Sequence, residues 1–397
     1  MRKWLAVSVL SANLVLHNIQ RMAPTPLFDE LRVQWNVDYT TVGALYSSYL
    51  IAYAVMLSPM GLLADRVDNK KLMMVGTVLN LGASVLFALA PNIAVAMLSR
   101  VVLGISGAFL WAPSVRYVVA CFDQKSRGQV MGWVQFGAGL GQVLALTLIP
   151  AAAVHAGLVA AFLLPAAVSL PLLAGQGLWL QSTLSSGKKL GAVGSLFRTG
   201  GFKPHLTFVF LAFLANYAIA GWLPTYLRRD FGFGAVEAGT ASSLSAMALM
   251  VCSPLAGKLS DWLGARKPVL QAGSALSILC FAIMVFSHNS GLVVLAALMK
   301  GAASALTTPI AMMFAGEVFA GAGAGLAVAL TSTTGQIASS ISGPLFGYTL
   351  DATGSFAAVW GVALACTVGS MAFLTPVQER RWAEASPEGG EATLSRP

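Results

Sequence analysis

The sequence predicts an all-α integral membrane protein whose twelve transmembrane helices form two pseudo-symmetric six-helix bundles. The 397 residues are 57% hydrophobic and only 10% charged, with a mean hydropathy of +0.75. A soluble core cannot absorb that much apolar surface, and the apolar runs have the length of about 20 residues that crosses a bilayer. A charged phrase, Gly61-Leu62-Leu63-Ala64-Asp65-Arg66-Val67-Asp68-Asn69-Lys70-Lys71, returns 196 residues later as Gly257-Lys258-Leu259-Ser260-Asp261-Trp262-Leu263-Gly264-Ala265-Arg266-Lys267. Each copy lies between two long apolar runs, so each is a tight turn joining two membrane helices. A repeat at nearly half the chain length points to a duplicated bundle.

The spans fall, in order, near residues 4–28, 40–60, 71–90, 93–119, 127–151, 157–180, 205–227, 236–257, 268–287, 291–315, 323–348 and 355–376. Span 1 starts after Arg2 and Lys3 like a signal peptide. It is long, polar in places and leads into further spans, so it is read as a membrane helix. Spans 2 and 3 flank the first charged turn, and spans 8 and 9 flank the second. The longest polar break separates spans 6 and 7. The expected organisation is an N-terminal bundle over 1–180, a cytoplasmic central loop over 181–204, a C-terminal bundle over 205–377 and a disordered cytoplasmic tail over 378–397.

Topology follows from the cations. With the N-terminus inside, seventeen Lys and Arg fall in cytoplasmic segments and three, Arg32, Arg228 and Arg229, on the opposite side. This positive-inside bias places both termini in the cytoplasm of a cell (inner) membrane. It also accounts for the excess basic charge without nucleic acid. Cys121, Cys252, Cys280 and Cys366 are scattered without metal-ligand spacing and read as packing residues. An enzyme is disfavoured, because there is no Cys/His cluster, phosphate-binding glycine loop or mid-membrane acid pair.

Four cations, Arg21, Arg100, Arg116 and Lys300, fall inside predicted spans, where a charge costs a few kcal/mol or more unless it meets a cavity, a partner or an interface. No acid is predicted mid-span, so an anionic solute would supply the missing counter-charge. Asn13, His17 and Arg21 lie at i, i+4 and i+8 on span 1, flanked by Asn18 and Gln20, with Pro24 and Pro26 placed to break the helix above them. Arg21 either faces a cavity or snorkels to the interface and pairs with Asp29 or Glu30. Lys300, near the midplane of span 10, either contacts a substrate or ion or is a hydrogen-bonded structural lysine. Arg116 is placed to reach Asp65 and close the cytoplasmic side. Tyr46, Tyr49 and Tyr53 on span 2, Asn216 and Tyr217 on span 7, Gln135 and Gln142 on span 5, and Thr331, Thr334, Gln336 and Ser339 on span 11 complete a polar interior or serve as interhelical glue.

The repeated turns resemble the signature of the major facilitator superfamily, G-x-x-x-D-R-x-G-R-[KR], and with the six-plus-six division the resemblance covers the whole chain. The first copy keeps Gly61, Asp65, Arg66 and the basic pair Lys70 and Lys71. It has Asp68 and Asn69 where Gly and Arg are usual, residues that tolerate left-handed backbone. The second keeps Gly257, Asp261 and Gly264 but has Trp262 for the Arg, which is expected to weaken a mirrored charge network. The resemblance makes these residues a conformational latch in which the Gly allows close helix packing and the Asp engages a helix N-terminus and nearby cations. Arg100-x-x-x-Gly104-x-x-Gly107 is similar to a second family phrase whose arginine serves proton coupling or interior polar networks. The Gly-Pro pair of drug antiporters is absent from Gly137-Ala138-Gly139-Leu140-Gly141. Arg21 followed by the two prolines resembles the organic and inorganic anion branches.

The expectation is a secondary or facilitative transporter of a small anionic solute, working by alternating access. Arg21, His17 and Asn13 would hold the anion from one half and Lys300, Asn216 and Tyr217 from the other, with Tyr46, Tyr53 and Gln336 lining the path. The alternative is an exporter of drugs or amphipathic metabolites. No cofactor is expected. A monomer is, with either a coupling proton, for which His17 is the core side chain of suitable pKa, or a counter-transported anion.

Overall fold

The computed structural model describes residues 2–183, 196–197, 199–319 and 324–379. Most of the predicted central loop and the tail from 380 lie outside the described residues. The described chain forms a helical bundle: α1 (Arg2–Met22), α2 (Phe28–Trp35), α3 (Tyr39–Leu63), α4 (Asn69–Ala88), α5 (Ile93–Cys121), α6 (Gln124–Trp179), α7 (Phe202–Phe231), α8 (Ala235–Trp262), α9 (Lys267–Phe286), α10 (Ser290–Val318), α11 (Ala324–Thr353) and α12 (Phe356–Leu374).

The predicted spans 5 and 6 are the two legs of α6, which turns at Gly157, where φ is 84°, a backbone state costly for any residue with a Cβ. Counting both legs and leaving out the eight-residue α2, twelve segments have membrane-crossing length. Among the described residues nine helices are long and apolar enough to cross a bilayer, α6 counted once. The two that fall short are α1 and α11, which carry the Asn13–Arg21 and Thr331–Ser342 polar series.

Span 1 differs from its predicted extent of 4–28. Helix α1 ends at Met22 and passes through a 3-10 turn, Thr25–Leu27, into the unpredicted α2. Pro24 and Pro26, which lack a backbone N–H, enforce the break. The α2 helix then ends in a left-handed residue, Asn36, at φ 49°.

Helices α1, α3, α4, α5 and α6 pack together, with α6 against α1 and α4, and α5 against α3 and α4. In the second set α7 packs on α11 and α12, α10 on α8 and α9, and α9 on α12. The sets meet chiefly through α3 against α11 and α6 against α8. At the first seam Gly43 and Gly343 face each other so closely that a Cβ on either would overlap the other's carbonyl.

The two charged turns lie at one end of the bundle. In the first, Asp68 is not left-handed as its residue type permits. It sits at φ −56°, ψ 119° and accepts the Lys70 backbone N–H, capping α4, and it also accepts the Thr183 N–H. Lys70 Nζ reaches the Gly177 carbonyl at 2.6 Å. Close helix packing at the signature glycines is not seen in this conformation, since a Cβ added to Gly61 or Gly257 meets nothing within 4 Å. Gly264 is needed for the turn itself, with φ 61°.

Candidate functional site

Arg21, in the last turn of α1, lies at the seam between the two helix sets. Its Nη2 donates to the Tyr217 hydroxyl at 2.7 Å and the Tyr46 hydroxyl at 3.2 Å. Its Cζ stands 5.5 to 5.9 Å from the ring centres of Tyr217, Tyr49 and Tyr46, a cation–π cage. The ion pairs among the described residues are Arg116–Asp65, Arg228–Asp29, Arg228–Glu30, Arg266–Asp261 and Arg266–Glu317. Asp29 and Glu30 are therefore committed to Arg228 and do not pair with Arg21. Arg21 Nε is buried without a hydrogen-bond partner. Tyr46 and Tyr217 accept from Arg21, so their own O–H groups remain available as donors.

Asn13 points elsewhere, and His17 reaches the cage only through Tyr49. Positions four apart on an α-helix are rotated by about 40°, so Asn13 and Arg21 differ by about 80° around α1. Asn13 Oδ1 accepts from Gln176 Nε2 at 2.7 Å, and the same nitrogen donates to Thr77 at 2.6 Å. His17 Nε2 lies 2.8 Å from the Tyr49 hydroxyl and Nδ1 lies 3.1 Å from Asn80 Nδ2. These residues form a polar network inside the first set, joined to the Arg21 cage by Tyr49, on which Tyr53 stacks with ring planes 9° apart. Buried amide atoms are left over within it: Asn13 Nδ2, Asn80 Oδ1 and Gln176 Oε1.

Lys300 and Asn216 meet as paired in the sequence reading. Lys300 is 1% exposed, and its Nζ donates to Asn216 Oδ1 and, at 2.8 Å, to Ser304 Oγ, with the Phe281 ring centre 5.5 Å away. Arg100 is buried, donates to the Gln20 carbonyl at 2.8 Å and lies 3.8 Å over Phe87. Both polar atoms of the Gln20 side chain and Arg100 Nε lack partners. Gln336 on α11 is half-buried with its amide oxygen unpartnered.

At the other end of the site, Asp351 on α11 accepts the backbone N–H groups of Tyr39 and Thr40 at 3.1 and 2.7 Å and the Thr40 hydroxyl at 2.7 Å. Arg228 on α7 pairs with Glu30 at 2.7 Å. At the charged-turn end Arg116 pairs with Asp65 at 3.1 Å. The second turn is not weakened by Trp262: Arg266, from the turn itself, pairs with Asp261 at 2.6 Å and with Glu317 of α10 at 2.9 Å. The acid–arginine contact between turn and helix survives with its signs exchanged. Asp65 engages the nearby cation Arg116. Arg66 is exposed and makes no ion pair among the described residues.

The sequence reading missed Thr77, Asn80, Gln176, Ser304 and Asp351. Ser304 sits at i+4 from Lys300, and Asn80 and Gln176 are lone amides within apolar runs, so each carried a signal. Asp351 did not, because its partners, two backbone N–H groups and the Thr40 hydroxyl, are more than 300 residues away.

A multi-pass helical bundle with a cationic, aromatic-lined centre between two helix sets is the architecture of a membrane carrier. The chain belongs to the Major Facilitator Superfamily, whose profile matches residues 10–200 and 206–396 and whose members are transporters rather than enzymes. It is similar to a probable sugar efflux transporter of Helicobacter pylori (strain G27), 23% identical over 142 residues, an alignment covering 36% of each chain. Its fold resembles the nucleoside transporter NupG, with TM-score 0.79 and 16% identity over 94% of this chain and 100% of that one. It also resembles a bacterial homolog of the human lysosomal transporter Spinster in an inward-facing, occupied conformation, with TM-score 0.78 and 14% identity over 94% and 96% of the two chains.

Proposed function

We propose that the protein is a secondary transporter that carries a small anionic solute, an organic acid or inorganic anion, by alternating access of its two six-helix halves. The Arg21 cage carries this reading. It offers a fixed positive charge, the unpartnered Nε donor and two tyrosine O–H donors, with no carboxylate to neutralise them among the described residues. Such a charge inside a membrane is costly until an anion joins it, and charge-assisted hydrogen bonds then supply affinity. Because Arg21 and Tyr46 belong to one half and Tyr217 to the other, a bound anion ties the halves together and favours an occluded state.

The positive-inside count supports cytoplasmic termini in an inner membrane, with the charged turns on the cytoplasmic side. Among the described residues, the hydrogen bonds and ion pairs between the halves run from Arg21 toward Asp351 and Arg228. These contacts support a conformation closed on the outer side, in keeping with the inward-facing Spinster homolog that the fold resembles. The carrier works as a monomer, and a coupling proton or a counter-transported anion balances the charge.

A second reading, a neutral polyhydroxylated solute, draws on the unpartnered amides of Gln20, Asn13, Gln176 and Gln336, and the sugar efflux relative is in keeping with it. Uptake in proteoliposomes separates the two. Arg21→Ala abolishes anion uptake on the first reading; wild-type uptake in this variant would sink it.

A further inference from the structure

Lys300 is a buried cation that the anion site does not use. It is the eleventh residue of α10, about 15 Å along the helix and thus near the middle of a 30 Å hydrocarbon layer. Its ammonium is held by protein groups: Asn216 and Ser304 accept from it, and the Phe281 ring centre stands 5.5 Å away.

The surrounding groups share one property. From α9 come Phe281 and the Cys280 thiol. From α7 comes Asn216, next in sequence to Tyr217, which holds Arg21. From α8, Ser245 and Ala248 pack on the adjacent Gly301; the ionisable residues of that helix, Glu237, Cys252, Lys258 and Asp261, lie further along it. Those of α11, Tyr348 and Asp351, lie near its far end. No carboxylate faces Lys300 among the described residues, so no counter-charge holds the ammonium in its charged form.

Both polar partners can reverse their roles. A hydroxyl rotates and an amide flips, so Ser304 and Asn216 can accept from an ammonium or donate to the lone pair of a neutral amine. An arginine here would be permanently charged, and a lysine facing a carboxylate would be held charged. A lysine with two reversible neutral partners can be hydrogen-bonded with or without its proton.

We propose that Lys300 is the site of the coupling proton. The neutral amine takes a proton from water on one side of the membrane, becoming an ammonium held by Asn216 and Ser304, and returns it to water on the other side. The charge is transmitted to the solute site through two adjacent residues of α7, Asn216 and Tyr217. Asn216 turns over as Lys300 changes state, and its neighbour Tyr217 contacts Arg21. A proton on Lys300 also raises the positive potential at Arg21, so anion and proton bind cooperatively and reciprocally. This extends the transporter reading and assigns Arg21 and Lys300 separate tasks.

The test does not require the solute. Purified wild-type protein, Lys300→Arg and Lys300→Met are titrated unbuffered in detergent between about pH 6 and pH 9, where exposed lysines stay charged. The expected result is that the wild type exchanges one more proton per chain than either variant. Superimposable curves overturn the proposal, because Lys300 then keeps one state throughout; if Lys300→Met does not fold, Lys300→Arg alone decides. In a second arm acetate, succinate, phosphate and nitrate are added to the unbuffered proteins. An anion whose binding depends on Arg21 draws up a proton with the wild type and none with Lys300→Arg; equal uptake by both contradicts coupling through Lys300. If no anion binds, the anion reading fails while the titration still decides the fate of Lys300.

Discussion

Arg21 owes its place to three tyrosines from two different helices. Tyr46 and Tyr49 come from α3 and Tyr217 from α7, and the guanidinium touches all three rings. Arg21→Lys keeps the charge but loses the planar set of donors, so the expected effect is a roughly tenfold or greater loss of anion affinity, measured by titration of the purified protein. Tyr217→Phe removes the hydroxyl shared across the halves. A hydrogen bond to a charged group contributes about 1.5–3 kcal/mol, so anion affinity should weaken by about 10- to 100-fold while the protein stays folded. The sequence alone exposed Arg21 and Lys300, since an ionisable side chain in an apolar run must have a reason. It also pointed to Asn13 and His17, but a stripe read at every fourth residue rotates around the helix, and of the two only His17 reaches the cage, through Tyr49. By Asn13 the stripe faces Gln176 and Thr77 instead of the cage.

At the scale of elements, the seam between α3 and α11 combines close backbone contact with a shared cap. The first four N–H groups of a helix lack partners within it. On α3, Asp38 accepts that of Thr41, and Asp351 of the opposite half accepts those of Tyr39 and Thr40. The Thr41 hydrogen bonds hold the Asp38 carboxyl below the usual carboxylate range. Opening this end strips α3 of two partners. Asp351→Ala should therefore cost the closed form about 1 kcal/mol, the typical value of a cap, and raise labelling of a cysteine placed at Thr40. Gly343→Val forces α3 away from α11, because a side chain there meets the Gly43 carbonyl; the same assay should show a larger rise. The helices themselves were legible from apolar run length, and the α6 turn from the gap between spans. The α2 helix was not, because eight residues between a proline pair and Asn36 lack the length that marks a span.

Over the whole molecule, the duplicated charged turn revealed the pseudo-symmetry, and the structure shows how unequal copies make equivalent contacts. In the first half an arginine of α5 reaches the acid of the turn, and in the second half an acid of α10 reaches the arginine of the turn. Trp262, 81% exposed, stands outside this contact, which is why its presence does not break it. At the opposite end Arg228 ties α7 to Glu30. Arg228→Ala should widen that end, seen as longer distances between spin labels on α2 and the α7 terminus. Unchanged distances would mean that the α3–α11 seam, with its glycine contact and Asp351 cap, keeps it shut without Arg228.

Anion carriage by Arg21 is tested most directly by the thermal stability of the wild type and Arg21→Ala in the presence of mono- and dicarboxylates, phosphate, nitrate, neutral sugars and lipophilic cations. A ligand at a hundred times its Kd stabilises the folded protein by about 2.7 kcal/mol. The predicted result is an upward shift with one or more small anions in the wild type, lost in Arg21→Ala, and none with sugars or lipophilic cations. Stabilisation by a sugar or a lipophilic cation that survives Arg21→Ala would contradict the claim that this is an anion carrier built around Arg21.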